Sequence, residues 1–145
     1  ENNLEKSEWN AKRFLTKNNY LIQIQTDAVK KYLIPQMNYR ENLQWLAYAE
    51  EADILNVALF GFTAKAWREA NPELAKKNNV RDFATINELT VLSNLESHNA
   101  QMIKEGKKKE ERFKILQEIA EYQLNVLNTA EKIKMLEDEN QLVEI

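Results

Sequence analysis

The only histidine of this 145-residue chain, His98, is the first residue to consider for catalysis. Its neighbour Ser97 would point about 100° away around a helix, so the two do not form a nucleophile and its base. A histidine metal site needs several nearby ligands. Glu96 and Asn99 do not share one helical face with His98, so we expect neither catalysis nor metal binding here.

Glu50, Glu51 and Asp53 form a second group that could do chemistry. Paired carboxylates bind Mg²⁺ or act as an acid and a base. The same residues also fit a structural role beside a helix dipole, and Asp53 or Glu51 could form an ion pair with Arg68 or Arg81. We favour the structural role, which predicts no enzyme activity, no cofactor and no metal ion. The chain also has no cysteine, which excludes thiol nucleophiles, Cys-based zinc sites and disulfides.

Basic residues form two groups, although the chain carries a net charge of −3 and no global positive field. The lysines between 104 and 109 are interleaved with acids, as is usual on a solvated surface. The looser second group surrounds a short predicted helix that follows a glycine, which outlines a helix-turn-helix over residues 50–71. Direct nucleic-acid binding is therefore the alternative function. Its candidate contacts are Lys65, Arg68, Lys76, Lys77 and Arg81.

The elements that must position these residues are helical, because the chain has only two glycines and two prolines. Average usage would give roughly ten and seven, so sandwiches, barrels and propellers with many tight turns are excluded. Pro35 and Pro72 disfavour continuation of a helix, while Gly61 and Gly106 are natural helix ends. No run reaches the roughly 18 apolar residues of a membrane span, so we expect no membrane association.

The first half of the chain divides into helices with one ambiguous stretch. Apolar residues over 4–34 recur at helical spacing, with a break expected near Thr26 and a strand as the alternative for residues 22–25. Helical stripes also cover residues 42–60 and 64–70, and Thr63 is the expected N-cap of the shorter helix.

The second half begins with a capping box, Thr85 followed by Glu88, which predicts a helix that continues to Gly106. Residues 108–140 then contain neither Gly nor Pro. As one helix they would span about 50 Å. A compact domain of this size is roughly 38 Å across, so the helix should project, bend or meet a partner.

A heptad pattern runs through this last helix and narrows from Ile133 onward, where charged residues flank it. Such a seam is typical of a coiled coil, and a polar residue at an a position fixes its register. The predicted partner or oligomer interface consists of Tyr122, Val126, Ile133, Leu136 and Asn140. The predicted fold is all-α, an irregular array of five to six helices with a long C-terminal helix. Residues 1–106 form the helical domain, whose first segment is a connector helix. Residues 107–145 form the long helix, packed at its start and projecting or partner-bound at its end.

Three strings of this sequence resemble the region that follows the DNA-binding domain in bacterial and phage KilA-N domain proteins. They are SEWNAKRFLTKNNYLIQIQTDAVKKYLIP over 7–35, AYAEEADILNVALFGFTAKAWREAN over 47–71 and RDFATINELTVLSNLESHN over 81–99. Together they cover well over half of the chain. The most specific pieces are Glu51-Ala52-Asp53 with Leu55-Asn56, the Ala58-Leu59-Phe60-Gly61 turn, Thr63-Ala64-Lys65 with Trp67-Arg68, and Arg81-Asp82.

The resemblance implies a cytoplasmic protein of a bacterium or a phage-infected host, and many members of the family are antirepressor-like regulators. The domain that binds DNA in this family has no counterpart in these residues, so DNA contact is expected through a domain absent from the chain. The matched strings also carry a polar signature that could be a buried network or a binding site. Its candidate network residues are Asp53, Asn56, Asn71, Asp82, Glu96 and Asn99. The leading prediction is a non-catalytic module that forms a homo-oligomer or binds a protein partner for such a regulator.

Overall fold

The computed structural model describes residues 20–36 and 44–144. Its five α-helices in these ranges are α1 (Tyr20–Ala28), α2 (Trp45–Phe60), α3 (Ala64–Ala70), α4 (Ile86–Lys104) and α5 (Lys109–Glu144). The described residues contain no strand, so the all-α prediction is confirmed. The strand alternative for residues 22–25 is wrong, because these residues lie within α1.

The expected break near Thr26 is absent, and the helix changes its geometry only after Ala28. Helix α1 continues through Thr26 to Ala28, then widens into a π-helical turn (Val29–Leu33) and ends in a 3-10 turn (Ile34–Gln36) that contains Pro35. Ala28 and Val29 are buried against Ala100 and Ile103 of α4. We attribute the continuity of α1 to this packing, which outweighs the local capping signal of Thr26 and Asp27.

Local signals set the helix ends as predicted. Gly61 ends α2 at a φ of 86°, a left-handed conformation that side chains with a Cβ rarely adopt. The Thr63 side chain accepts a hydrogen bond from the Ala66 amide at 3.1 Å and begins α3. The capping box of α4 is complete, since Thr85 accepts from the Glu88 amide and the Glu88 carboxylate accepts from the Thr85 amide.

Helices α2, α4 and α5 enclose the main core. Helix α4 runs antiparallel to α5, because Asn99 contacts Arg112 near the start of α5 while Asn94 contacts Gln123 further along it. A second, smaller apolar cluster joins α1 and the start of α2 to α4. The main core is built from Ile54, Leu55, Leu59, Ala84, Leu89, Val91, Leu92, Leu95, Met102, Leu116 and Ala120.

Candidate interaction surface

A buried ion pair holds the beginning of α5 against the core. Arg112 and Glu51 are each 1% exposed. The guanidinium donates to both oxygens of the Glu51 carboxylate. Nη1 donates to Oε1, and Nη2 donates to Oε2 at 3.1 Å. Arg112 Nε also donates to the Lys107 carbonyl at 3.1 Å. A bidentate contact fixes the orientation of the guanidinium as well as its distance from the carboxylate. The pair therefore sets how α5 is rotated about its own axis.

Asn99 extends the pair into a network that reaches four helices. Its Oδ1 accepts from Arg112 Nη1 at 2.8 Å, while its Nδ2 donates to Glu51 Oε1 at 2.8 Å and to Gln25 Oε1 at 3.1 Å. All four residues are buried. The hydrogen-bonding groups satisfy one another, as buried polar groups must if burial is not to cost stability. Helices α1, α2, α4 and α5 are thereby fixed in one relative arrangement.

The outer face of α5 carries large apolar side chains that the core does not cover. Tyr122 is 71% exposed, Val126 46%, Ile133 52% and Leu136 50%. They lie roughly 140° around the helix from Leu116, Ala120 and Leu127, which face the domain. We call Tyr122, Val126, Thr129, Ile133, Leu136 and Asn140 the outer stripe. It includes all five residues of the predicted interface, and Asn140 is also exposed.

The last contacts between α5 and the rest of the domain lie well before the end of the helix. Asn87 Nδ2 donates to Asn128 Oδ1 at 2.9 Å and to Glu131 Oε2 at 2.8 Å. Within the described chain, no side-chain hydrogen bond from the domain reaches beyond Glu131, and residues 132–140 are all exposed. About 20 Å of helix therefore projects from the domain.

The six residues of the predicted polar network occupy separate places. Only Asn99 belongs to the buried network, whose other members are Gln25, Glu51 and Arg112. Asn71 Nδ2 donates to the Trp67 carbonyl at 2.9 Å, at the end of α3. Asp82 accepts from the Asn79 amide at 2.8 Å in a second capping box. Asp53 is half-buried.

Glu96 and Asn56 are buried apart from that network. Glu96 Oε1 lies 3.6 Å from Arg81 Nη1, whereas Glu96 Oε2 has no hydrogen-bond partner in the described chain. Burial disfavours the charged form more than Arg81 favours it, so the pKa of Glu96 is raised to about 7. The Asn56 Oδ1 atom is likewise buried and unpartnered among the described residues.

The candidate nucleic-acid contacts do not form one free basic face. Arg81 is half-buried and turned toward Glu96, and Lys76 pairs with Glu73 at 3.1 Å. Lys65, Arg68 and Lys77 remain exposed. Two of the five candidate cations therefore have acidic partners, and the nucleic-acid alternative stays a prediction.

The acidic residues and the histidine also have structural surroundings. Glu51 pairs with Arg112 rather than with Arg68 or Arg81, and Glu50 pairs with Lys109 at 3.1 Å. His98 is exposed beside an open groove between α1 and α4. Within residues 20–36 and 44–144, no three His, Cys, Asp or Glu side chains are grouped to hold a metal ion.

Sequence reasoning missed Arg112, although a signal for it exists. Arg112 precedes Leu116 and Ala120 by four and eight residues, which places it on the apolar face of α5. An arginine in that register needs a buried acid. The sequence does not show which acid it is, because Glu51 is 61 residues away.

No described helix is long and apolar enough to span a membrane. No family model, curated protein or solved structure matches this chain. The interaction surface is therefore interpreted from its own geometry.

Proposed function

We propose that this chain is a non-catalytic helical module that self-associates through the outer stripe of α5. The observation that carries the proposal is the line of four large apolar side chains on the face opposite the core. Soluble monomers rarely expose aligned apolar side chains of this kind, which instead mark interaction sites. Their heptad spacing is the spacing by which one helix packs against another.

The projecting end of α5 gives the proposal independent support. In proteins, most of the stability of a helix comes from the packing of its apolar face rather than from its intrinsic propensity. The stretch beyond Glu131 continues the 36-residue helix α5 but receives no side-chain hydrogen bond from the described remainder of the domain. Pairing with a second helix would supply the apolar burial that the domain does not provide.

The biological role we propose is to dimerise a KilA-N-type DNA-binding regulator. The three resembling strings support this role. Regulators of this kind commonly dimerise, because two-fold protein symmetry then matches two symmetric DNA half-sites. The DNA-binding surface would belong to another domain of the same protein, and this module would contribute the symmetry.

Two neighbouring residues of α5 allow a matched test. Leu136 and Met135 are both exposed and apolar, but only Leu136 lies in the outer stripe. We expect Leu136→Glu to convert the dimer to monomer in light scattering, since it places a charge in the seam. Met135→Glu should leave the dimer intact. A triple change to Glu at Val126, Ile133 and Leu136 should give monomer at every concentration.

The same experiment can contradict the proposal in two ways. A monomeric wild-type chain at high concentration would refute self-association. Equal loss of dimer in Leu136→Glu and Met135→Glu would show that the outer stripe is not the interface. Circular dichroism of each variant checks that α1 to α5 remain folded.

A further inference from the structure

We infer that the partner on the outer stripe is a second copy of this chain in parallel, in-register orientation, forming a two-stranded coiled coil. This inference rests on the proposed self-association and specifies its geometry. The two domain bodies then lie at the same end of the coil, related by a two-fold axis along it.

The rotation of α5 on its domain leaves space for this arrangement. The stripe points roughly 140° away from the face that packs on α2 and α4, and the Arg112–Glu51 pair fixes that direction. The α5 helix of a second copy can therefore lie along the stripe from Tyr122 onward. The rest of each domain then lies on the side of its own α5 that faces away from the other helix. The exposure of Tyr122 and Val126 shows that the seam is already open next to the body.

The residues of the seam favour two strands. Val126 and Ile133 occupy a positions. On the projecting part of the helix, Leu136 occupies the d position that follows Ile133. β-branched residues at a together with leucine at d favour a parallel two-stranded coil, because their side chains fit the geometry of its holes.

Asn140 favours the parallel orientation. At an a position of a parallel, in-register dimer, the two Asn140 side chains meet and hydrogen-bond to each other. In an antiparallel pairing of the same stripe, Asn140 would lie opposite Tyr122 of the other copy. Its amide would then lose the matching amide across the seam, which costs stability when the group is buried.

One charged pair beside the seam is complementary only in the parallel coil. Lys132 occupies a g position and Glu137 the following e position, the two positions that meet across a parallel dimer. Both side chains are exposed, and neither makes an ion pair within the described ranges. Two-fold symmetry forms the Lys132–Glu137 contact twice. An antiparallel coil instead brings g positions to g and e positions to e.

Reversing one charge at a time gives a direct test. Lys132→Glu places Glu opposite Glu137 in both contacts of the homodimer, and Glu137→Lys places Lys opposite Lys132. We expect each homodimer to dissociate about tenfold more readily than wild type. A mixture of the two variants restores both attractive contacts, so native mass spectrometry should find about nine-tenths heterodimer, against one half for random exchange.

A control pair isolates the seam. Lys134→Glu and Asp138→Lys reverse the same kinds of charge on exposed residues of the same helix, outside the a, d, e and g positions. Their mixture should exchange at random, because these side chains do not meet across the coil. A random mixture of the Lys132 and Glu137 variants as well would overturn the parallel register.

A disulfide provides a second, independent readout, because the natural chain contains no cysteine. Asn140→Cys should form an intermolecular disulfide under mild oxidation, while Asp138→Cys on the outer side should not. A disulfide needs Cα atoms about 4.4–6.8 Å apart, whereas an antiparallel stripe would separate the two residues by roughly 27 Å. A dimer that shows neither heterodimer preference nor this cross-link overturns the inference alone. A monomeric wild-type chain overturns the proposed self-association as well.

Discussion

Removing the charge of Arg112 should destabilise the domain far more than removing any exposed charge on the same helix. Arg112→Met leaves the Glu51 carboxylate buried without its counter-charge, and Glu51→Met leaves the guanidinium in the same position. Both side chains are almost completely buried, so solvent cannot replace the lost partner. Breaking a buried pair in this way costs about 3–5 kcal/mol.

The double variant should recover much of that loss. With Met at both positions no buried charge remains, and the apolar side chains occupy similar volume. Asn99 then loses its hydrogen bonds to Glu51 and Arg112 but keeps the one to Gln25. Leaving this buried amide partly unsatisfied lowers the free energy of unfolding by about 1–3 kcal/mol. The coupling energy between the two substitutions should therefore be at least about 2 kcal/mol.

Urea unfolding followed by circular dichroism measures this cycle. All variants must be compared at one protein concentration, because association contributes to the stability of a self-associating chain. The exposed Glu50–Lys109 pair joins the same two helices one residue from Glu51 and serves as the matched control. Its cycle, with Gln at both positions, should give about 0–1 kcal/mol.

Additivity of the two substitutions within about 0.5 kcal/mol would refute the reasoning, since it would mean that the pair is not coupled in the folded chain. A coupling energy for Glu50–Lys109 as large as that for Glu51–Arg112 would also refute it. If a single variant is unfolded in buffer while the double variant is folded, the coupling has the expected sign.

Three further perturbations have defined outcomes. Burial raises the pKa of Glu96 from 4.5 to about 7, so wild type should lose about 3 kcal/mol of unfolding free energy relative to Glu96→Gln as pH rises between those values. Urea titrations at pH 5 and pH 8 measure this, and a pH-independent difference would contradict it. Thr85→Ala should cost about 1 kcal/mol through loss of the cap of α4, whereas the exposed Ser97→Ala in the same helix should change stability by less than about 0.5 kcal/mol. Gly106→Ala should cost roughly 1 kcal/mol in thermal unfolding, because its φ of 81° strains any residue with a Cβ, and an unchanged midpoint would show that the turn relaxes.

Helix ends were predictable because their causes are local. The hydroxyl of Thr85 and the carboxylate of Glu88 act within one turn, and Gly61 needs no distant partner to adopt its left-handed conformation. The end of α1 was less predictable. Its local capping signal at Thr26 is outweighed by packing of Val29 on α4, which no short window of sequence contains.

The candidate site likewise contains one part that could be predicted from the sequence and one part that could not. The outer stripe follows from a repeat along one helix, so its residues could be named from the sequence. The buried network could not be assembled, since Gln25, Glu51, Asn99 and Arg112 come from four helices. The sequence also could not assign each polar residue of the resembling strings to its role, because helix capping, ion pairing and buried networks all use Asn, Asp and Glu.

The mass of the unmodified chain in solution tests self-association most directly. Sedimentation equilibrium over a range of concentrations should give a species of twice the 17.1 kDa chain mass, which dissociates on dilution. Leu136→Glu should sediment at the single-chain mass under the same conditions. A wild-type chain that remains at 17.1 kDa at the highest concentration would contradict the proposed function.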